Sequence, residues 1–128
     1  MATERVHSGA PWEKQVGYCR ALRRGPFVFV SGTAPVGANG KTHAPGDPYE
    51  QAKKCYEIAL AAMSKLGASA KDVVRTRQFV TDVKHWEAFG RAHWEVFGDH
   101  PPVTSMVEIK ALIAPDMLIE VELDAIID

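Results

Sequence analysis

The chain has 128 residues, 15 basic against 16 acidic side chains and a formal net charge of −1 at pH 7. That length makes one domain, able to bury roughly two-thirds of the surface its unfolded form exposes. With charge nearly balanced and no long run of one sign, it carries no electrostatic footprint for nucleic acid. Its apolar stretches are far short of the ~20 residues that span a bilayer, so neither nucleic acid nor membrane is expected as a partner.

Near the start, Glu4, Arg5 and His7 stand where a secretory leader would be apolar, and Cys19 and Cys55 have no CxxC spacing. Both thiols are expected to be reduced, in a cytoplasmic protein. A short opening strand is expected near Val6. Tyr18 to Arg23 and Phe27 to Gly32 flank Arg24-Gly25-Pro26 and read as a hairpin, Gly permitting the turn and Pro fixing the backbone beside it. Phe27 to Val30 is apolar on both faces. Such a strand is covered on two sides, and a chain this short has too few helices to cover both faces of a sheet, so it calls for a partner surface. The Gly37 to Lys41 stretch is a turn, lacking the Lys-Ser/Thr of a phosphate loop.

Asp47 can cap a helix with Pro48 in its first turn, and the helix is expected to run to Leu66 and stop at Gly67. Ala52, Cys55, Tyr56, Ala59, Met63 and Leu66 recur at three- and four-residue spacing, so that side packs on a sheet, and Cys55 and Met63 are core residues before they are reactive ones. A strand from Val73 to Thr81 places Arg75 and Arg77 on one face with Val73 and Phe79. Trp86 to Phe97 reads as a second helix ending at Gly98, with Trp86, Phe89, Ala92, His93, Val96 and Phe97 toward the sheet.

Val103 to Leu112 and Met117 to Ile127 complete an α+β arrangement. In the last strand Met117, Ile119, Val121, Leu123 and Ala125 alternate with Leu118, Glu120, Glu122, Asp124 and Ile126. Three carboxylates then line one side with neighbours about 6.5–7 Å apart, and any that is buried has a raised pKa suited to proton transfer. Glu122 and Asp124 also fit a plainly solvated face.

Several segments resemble, in order, the reactive-intermediate deaminase (Rid, YjgF-like) family. They are the Pro102-Val103-Thr104-Ser105 strand start, the Ala114-Pro115-Asp116 turn with Met117-Leu118-Ile119-Glu120-Val121-Glu122, the strand Val28-Phe29-Val30-Ser31-Gly32-Thr33, and the strand Asp72 to Asp82. Tyr18 sits where the family has a pocket tyrosine. The resemblance spans nearly the whole chain. It implies a single-domain, chorismate-mutase-like α+β fold over residues 1–128, with a mixed sheet of about six strands and two helices packed on one face. It also implies a barrel-like homotrimer with small-molecule clefts between subunits.

For the site, the resemblance implies that Glu120 orients or activates the water that adds to a C=N carbon. Tyr18 would lie over a planar substrate and Ser31 and Thr33 would line the floor, although each of the three also fits a packing role. Deaminase members hold a substrate carboxylate with the arginine of a Pro-x-Arg-Ser-Cys sequence, which here reads Pro102-Val103-Thr104-Ser105-Met106. Thr104 offers one hydrogen bond in place of a charged, two-pronged pair, and Met106 replaces the cysteine. Arg91 is an alternative anion clamp or a solvated helix residue. His93, about 200° from it around the helix, is expected to be packed within the helix layer.

The chain therefore reads as a hydrolase of an imine, enamine or related C–N bond in a small metabolite other than a simple amino-acid-derived imine. An apolar pocket of Tyr18, Met106 and Trp94 would suit a larger or ring-containing substrate. No metal or cofactor is expected, because the five histidines form no i,i+4 pair and have no zinc-spaced partner. Ser31 has no nucleophile-elbow context. The rivals are a non-catalytic trimer that binds small molecules or partner proteins, favoured by loss of the arginine, and a ribonuclease, opposed by the lack of a basic patch.

Overall fold

In the computed structural model, which describes residues 2–128, the chain runs β1 (Thr3–Val6), β2 (Ala21–Arg24), β3 (Phe27–Thr33), α1 (Pro48–Ser64), β4 (Val73–Val80), α2 (Trp86–Phe97), β5 (Val103–Glu108) and β6 (Ile119–Ile126). The strands form one sheet in the order β1-β2-β3-β6-β4-β5. All neighbours are antiparallel except β4 and β5, which α2 connects as a parallel crossover. Because β6 runs antiparallel to both β3 and β4, those two are parallel to each other, and α1 is a second crossover with β6 inserted between its strands. Crossovers of one hand put both helices on the same face of the sheet.

That face holds the core. Val28, Val30, Val80, Ile119, Val121 and Leu123 meet Cys55, Tyr56, Ala59 and Met63 of α1 and Phe89 and Phe97 of α2, all buried. The Tyr56 and Phe97 rings lock the two helices edge to face at 5.6 Å. A buried side chain of this size contributes about 1.5–3 kcal/mol by leaving water.

Helix α1 begins as the sequence predicts, Asp47 accepting from the Glu50 N–H at 3.0 Å. It ends at Ser64, two residues earlier than expected by periodicity, and Arg23 Nη1 donates to the Leu66 carbonyl at 2.8 Å beyond it. The fully buried Gln51 ties α1 to two loops: its Nε2 donates to the Asp116 carbonyl at 3.0 Å and the Ala44 carbonyl at 3.3 Å, and its Oε1 accepts from the Leu118 N–H at 2.8 Å.

Several expectations need correcting. Trp86, expected toward the sheet, is 59% exposed at the first turn of α2. Val73 does not share a face with Arg75 and Arg77, because a bulge between Val73 and Arg75 turns Val73 into the core. Strand β5 stops at Glu108 and does not reach Leu112, since the Ile109 N–H makes its last bond to the Val80 carbonyl and β4 offers no further partner. Similarly, β2 starts at Ala21, because Glu13–Gly17 form a single π turn that leads into Tyr18.

The sheet face away from the helices is open. Phe27, Phe29, Val103, Val107 and Ile126 are exposed on the strands, Phe29 by 47%. Between them Arg77 Nη1 lies 3.2 Å from Asp124 Oδ2 and 3.6 Å from Glu122 Oε1. No described helix is long and apolar enough to cross a membrane.

Candidate active site

The alternation of β6 places Glu120 on the open side of the sheet, opposite the core residues Ile119 and Val121. A bulge in β3 determines what it meets there. Val30 pairs with Leu123 but Thr33 pairs with Val121, so Ser31 and Gly32 together occupy the space of one residue. The bulge presents Gly32 to the Glu120 carboxyl; a β carbon at Gly32 would stand 2.4 Å from Oε1. Only glycine leaves room for the carboxyl against the strand backbone.

Burial raises the Glu120 pKa above the ordinary carboxylate range; nearby Arg20 opposes the shift and Glu122 adds to it. Arg20 is itself only 9% exposed, and its Nη2 donates to the Gly32 carbonyl at 2.6 Å. Glu120 and Arg20 thus flank one glycine. The Arg20 guanidinium carbon lies 5.6 Å from the centre of the Tyr18 ring. Together with Thr33 and Met117 these residues line a cavity of about 810 Å³.

The approach to Tyr18 is fixed by Glu13, which is 4% exposed. Its carboxylate accepts from the Ser8 N–H at 3.1 Å and from the Ser8 hydroxyl, with His7 Nδ1 3.1 Å away. Burial pushes its pKa up, but the hydrogen bonds from Ser8 and His7 outweigh that, so it stays ionised below the ordinary range.

Of the residues expected from sequence, Tyr18, Thr33 and Glu120 converge on this cavity, and Ser31 lines an adjoining groove of about 1090 Å³ that shares Tyr18. The hydroxyls of Ser31 and Thr33 are already engaged. Ser31 donates to the Cys19 carbonyl at 2.7 Å and Thr33 to the Ser31 carbonyl at 2.8 Å, so both brace the bulge.

The other expected residues lie elsewhere in the subunit. Thr104 is on edge strand β5, separated from β6 by β4 and turned toward the helix side, where its hydroxyl accepts from Thr76 at 2.6 Å and Gln78 Nε2 at 3.2 Å. Behind it His93 Nε2 lies 2.8 Å from Thr76 Oγ1, and burial lowers the His93 pKa. Met106 packs against the core and Ser105 is exposed on the opposite side. Arg91 stacks over the Tyr49 ring at 3.8 Å on the outer surface of α2, and Trp94 is 70% exposed beside it. Neither reaches Glu120 within one subunit. Among the described residues, no group of three or more His, Cys, Asp or Glu is placed to hold a metal ion.

Sequence reading missed Arg20. The available signal was the spacing, since residues two apart on an extended chain share a side, and Arg20 is two residues beyond the pocket tyrosine.

Residues 10–127 match the family model described as Endoribonuclease L-PSP. The chain belongs to this family, also called YjgF/RutC. A Mycobacterium tuberculosis structure, a member of the YjgF/YER057c/UK114 family, superimposes with a TM-score of 0.90 and 42% identity, covering 98% of this chain and all of that one. An uncharacterized Streptomyces coelicolor protein is 36% identical over 97% of this chain and 92% of its own length. The 3-aminoacrylate deaminase RutC of Acinetobacter baylyi is 30% identical over 81% of this chain and 82% of its own. The chorismate-mutase-like fold expected from sequence is therefore that of the family, and a deaminase-type activity is within its range.

Proposed function

We propose that the protein hydrolyses the C–N bond of an imine or enamine in a small metabolite, with Glu120 handling the proton of the attacking water. The supporting observation is the half-buried Glu120 carboxyl, raised in pKa and held against Gly32 beside Arg20 and Tyr18. As a carboxylate, Glu120 takes a proton from water while the water oxygen bonds to the C=N carbon. The nitrogen collects that proton, and as the C–N bond of the tetrahedral adduct breaks it also receives, through Glu120, the proton that the adduct's hydroxyl loses on becoming a carbonyl, so that ammonia and a carbonyl compound leave. An enamine first gains a proton on carbon to become the imine. A carboxyl whose pKa is raised by burial gives up and takes back a proton more evenly than an ordinary glutamate, which suits both directions of transfer.

The assembly read from sequence completes this picture: a homotrimer in which the exposed edge strand β5 of one copy, carrying Thr104, Ser105 and Met106, closes the open face of another. The exposed Phe27, Phe29, Val103, Val107 and Ile126 support such burial. The threonine at position 104 supplies no charged clamp, so an anionic substrate must be held by another group.

A second reading, a trimer that binds small ligands without turnover, is favoured by that same threonine. The endoribonuclease description of the family has no counterpart in a chain of net charge −1 with one buried arginine in the cavity. The test is ammonia release from 2-iminopropanoate, 2-iminobutanoate and 3-aminoacrylate, comparing the parent with Glu120→Gln and Thr104→Arg. A loss of about a hundredfold or more in Glu120→Gln supports hydrolysis. Equal rates in parent and Glu120→Gln, or ligand binding without ammonia release, would support the binding reading.

A further inference from the structure

The charge of Arg20 is the least compensated in the interior. Its backbone is fixed as an extension of the sheet: the N–H donates to the Val6 carbonyl at 2.8 Å and the carbonyl accepts from Ser31 at 2.9 Å. Ala21 points into the core, so Arg20 points the other way, into the cavity with Glu120. There Nη2 makes its bond to the Gly32 carbonyl, while Nε is buried with no partner. Among the described residues no carboxylate lies within 4.0 Å of the guanidinium. Glu120 and Glu13 act on it only through space.

Burying a guanidinium without a hydrogen-bonded anion costs several kcal/mol in general, and a protein retains such a group where something else supplies the anion. The planar fork matches a carboxylate with two parallel N–H···O bonds. The guanidinium carbon lies 5.6 Å from the centre of the Tyr18 ring, and both side chains line the cavity that also holds Glu120. Position 104, on a different strand and face, carries no charge.

We infer that Arg20 is the anion anchor of this cavity, holding a carboxylate-type oxygen pair of the ligand next to Glu120 across Gly32. The inference rests on the cavity proposed above as the hydrolytic site, but it concerns binding and does not require turnover. The positive group then comes from the same subunit as the water-activating carboxyl. Anchor and proton acceptor are held by one backbone carbonyl and one glycine, so the carbon attacked lies close to the anionic group of the substrate. The expectation that simple acidic imines are excluded, which came from Thr104 alone, is reversed by this placement.

The test uses two unreactive probes of one shape, 2-oxobutanoate and its neutral amide 2-oxobutanamide, titrated into the full-length protein by calorimetry and by ¹⁵N NMR of arginine side chains. The acid should bind about tenfold or more tightly than the amide. Arg20→Gln should remove that preference by weakening the acid alone, and Arg20→Lys should keep part of it. The Arg20 Nε–H resonance of the unmutated protein should shift on adding acid and stay in place with amide, which gives a readout even where the variants fold poorly. Equal affinity for both probes, no binding of either, an unmoved Nε–H signal, or an unchanged acid preference in Arg20→Gln would overturn the inference. Acid binding that depends on Arg20 without ammonia release from any imine would sink the hydrolase reading and leave the anchor standing.

Discussion

Gly32 and Glu120 are in contact across the β3–β6 ladder so closely that a single added carbon at Gly32 would overlap Glu120 Oε1 at 2.4 Å. The atom in the way is the end of a flexible side chain, so Gly32→Ala should swing the carboxyl aside and leave the sheet intact. Melting temperature should change little, while kcat falls about tenfold to a hundredfold. The double variant Gly32→Ala, Glu120→Gln should be no worse than Glu120→Gln alone, because both act through one group. Additive losses would show that Gly32 serves something other than the carboxyl.

The raised pKa of Glu120 gives opposite signs for activity and stability. Activity needs the carboxylate, so kcat/KM should fall on acidification through the raised pKa, above the range where an ordinary glutamate titrates. Arg20→Gln removes the neighbour that lowers this pKa and should move the acid limb to still higher pH. In the unfolded chain Glu120 ionises in the ordinary range, whereas the folded protein holds the proton to higher pH. Ionised Glu120 therefore destabilises the fold at neutral pH, and the penalty disappears as pH falls through the folded value. Glu120→Gln should raise the melting temperature near neutrality and not in acid; a lower melting temperature at both would refute this.

Thr76 joins β4, β5 and α2 through Thr104 and His93. Thr76→Val removes both bonds of a buried hydroxyl but leaves its partners, the half-buried His93 and the exposed Thr104, open to water, and should cost about 0.5–1.5 kcal/mol in urea unfolding, with Thr76→Ser recovering most of it. His93 is half-buried with a pKa lowered by desolvation, so the unfolded chain takes up its proton first. Stability should therefore decline as pH drops through the ordinary histidine range toward the depressed folded value, and His93→Gln should flatten that decline.

The exposed Phe29 lies opposite Asp124 on the open face. Phe29→Glu adds a like charge beside Asp124 and replaces apolar surface that a second copy would cover. Sedimentation should show a trimer for the parent and a monomer for this variant, with ammonia release lost together with assembly. A monomeric parent would remove the shared-cleft part of the proposal.

Much of the architecture is legible because burial imposes strict periods. The alternation from Ile119 to Ala125 gives the faces of β6 directly, and Trp86–Phe97 is bounded as its spacing predicts. Bulges defeat that logic: one extra residue after Val73 reverses a face, and one at Ser31-Gly32 creates the recess for Glu120. The alternation of β6 shows three carboxylates on one face, and only the family resemblance singles out Glu120 among them. Arg20 was not legible, since an arginine in a short alternating stretch looks solvated until the tertiary fold closes over it.

The position of β6 has a consequence for how the molecule comes into being. The last strand to be synthesised is the one that fills the middle of the sheet, between β3 and β4. Until it emerges from the ribosome, those strands have no partner on their facing edges and Gly32 has no carboxyl beside it. The nascent chain therefore carries two open edges, each a template for wrong pairing, from the emergence of β4 until that of β6. The same late insertion delivers Glu120 and closes the core together, so the cavity acquires its acid only in a chain that has completed its fold.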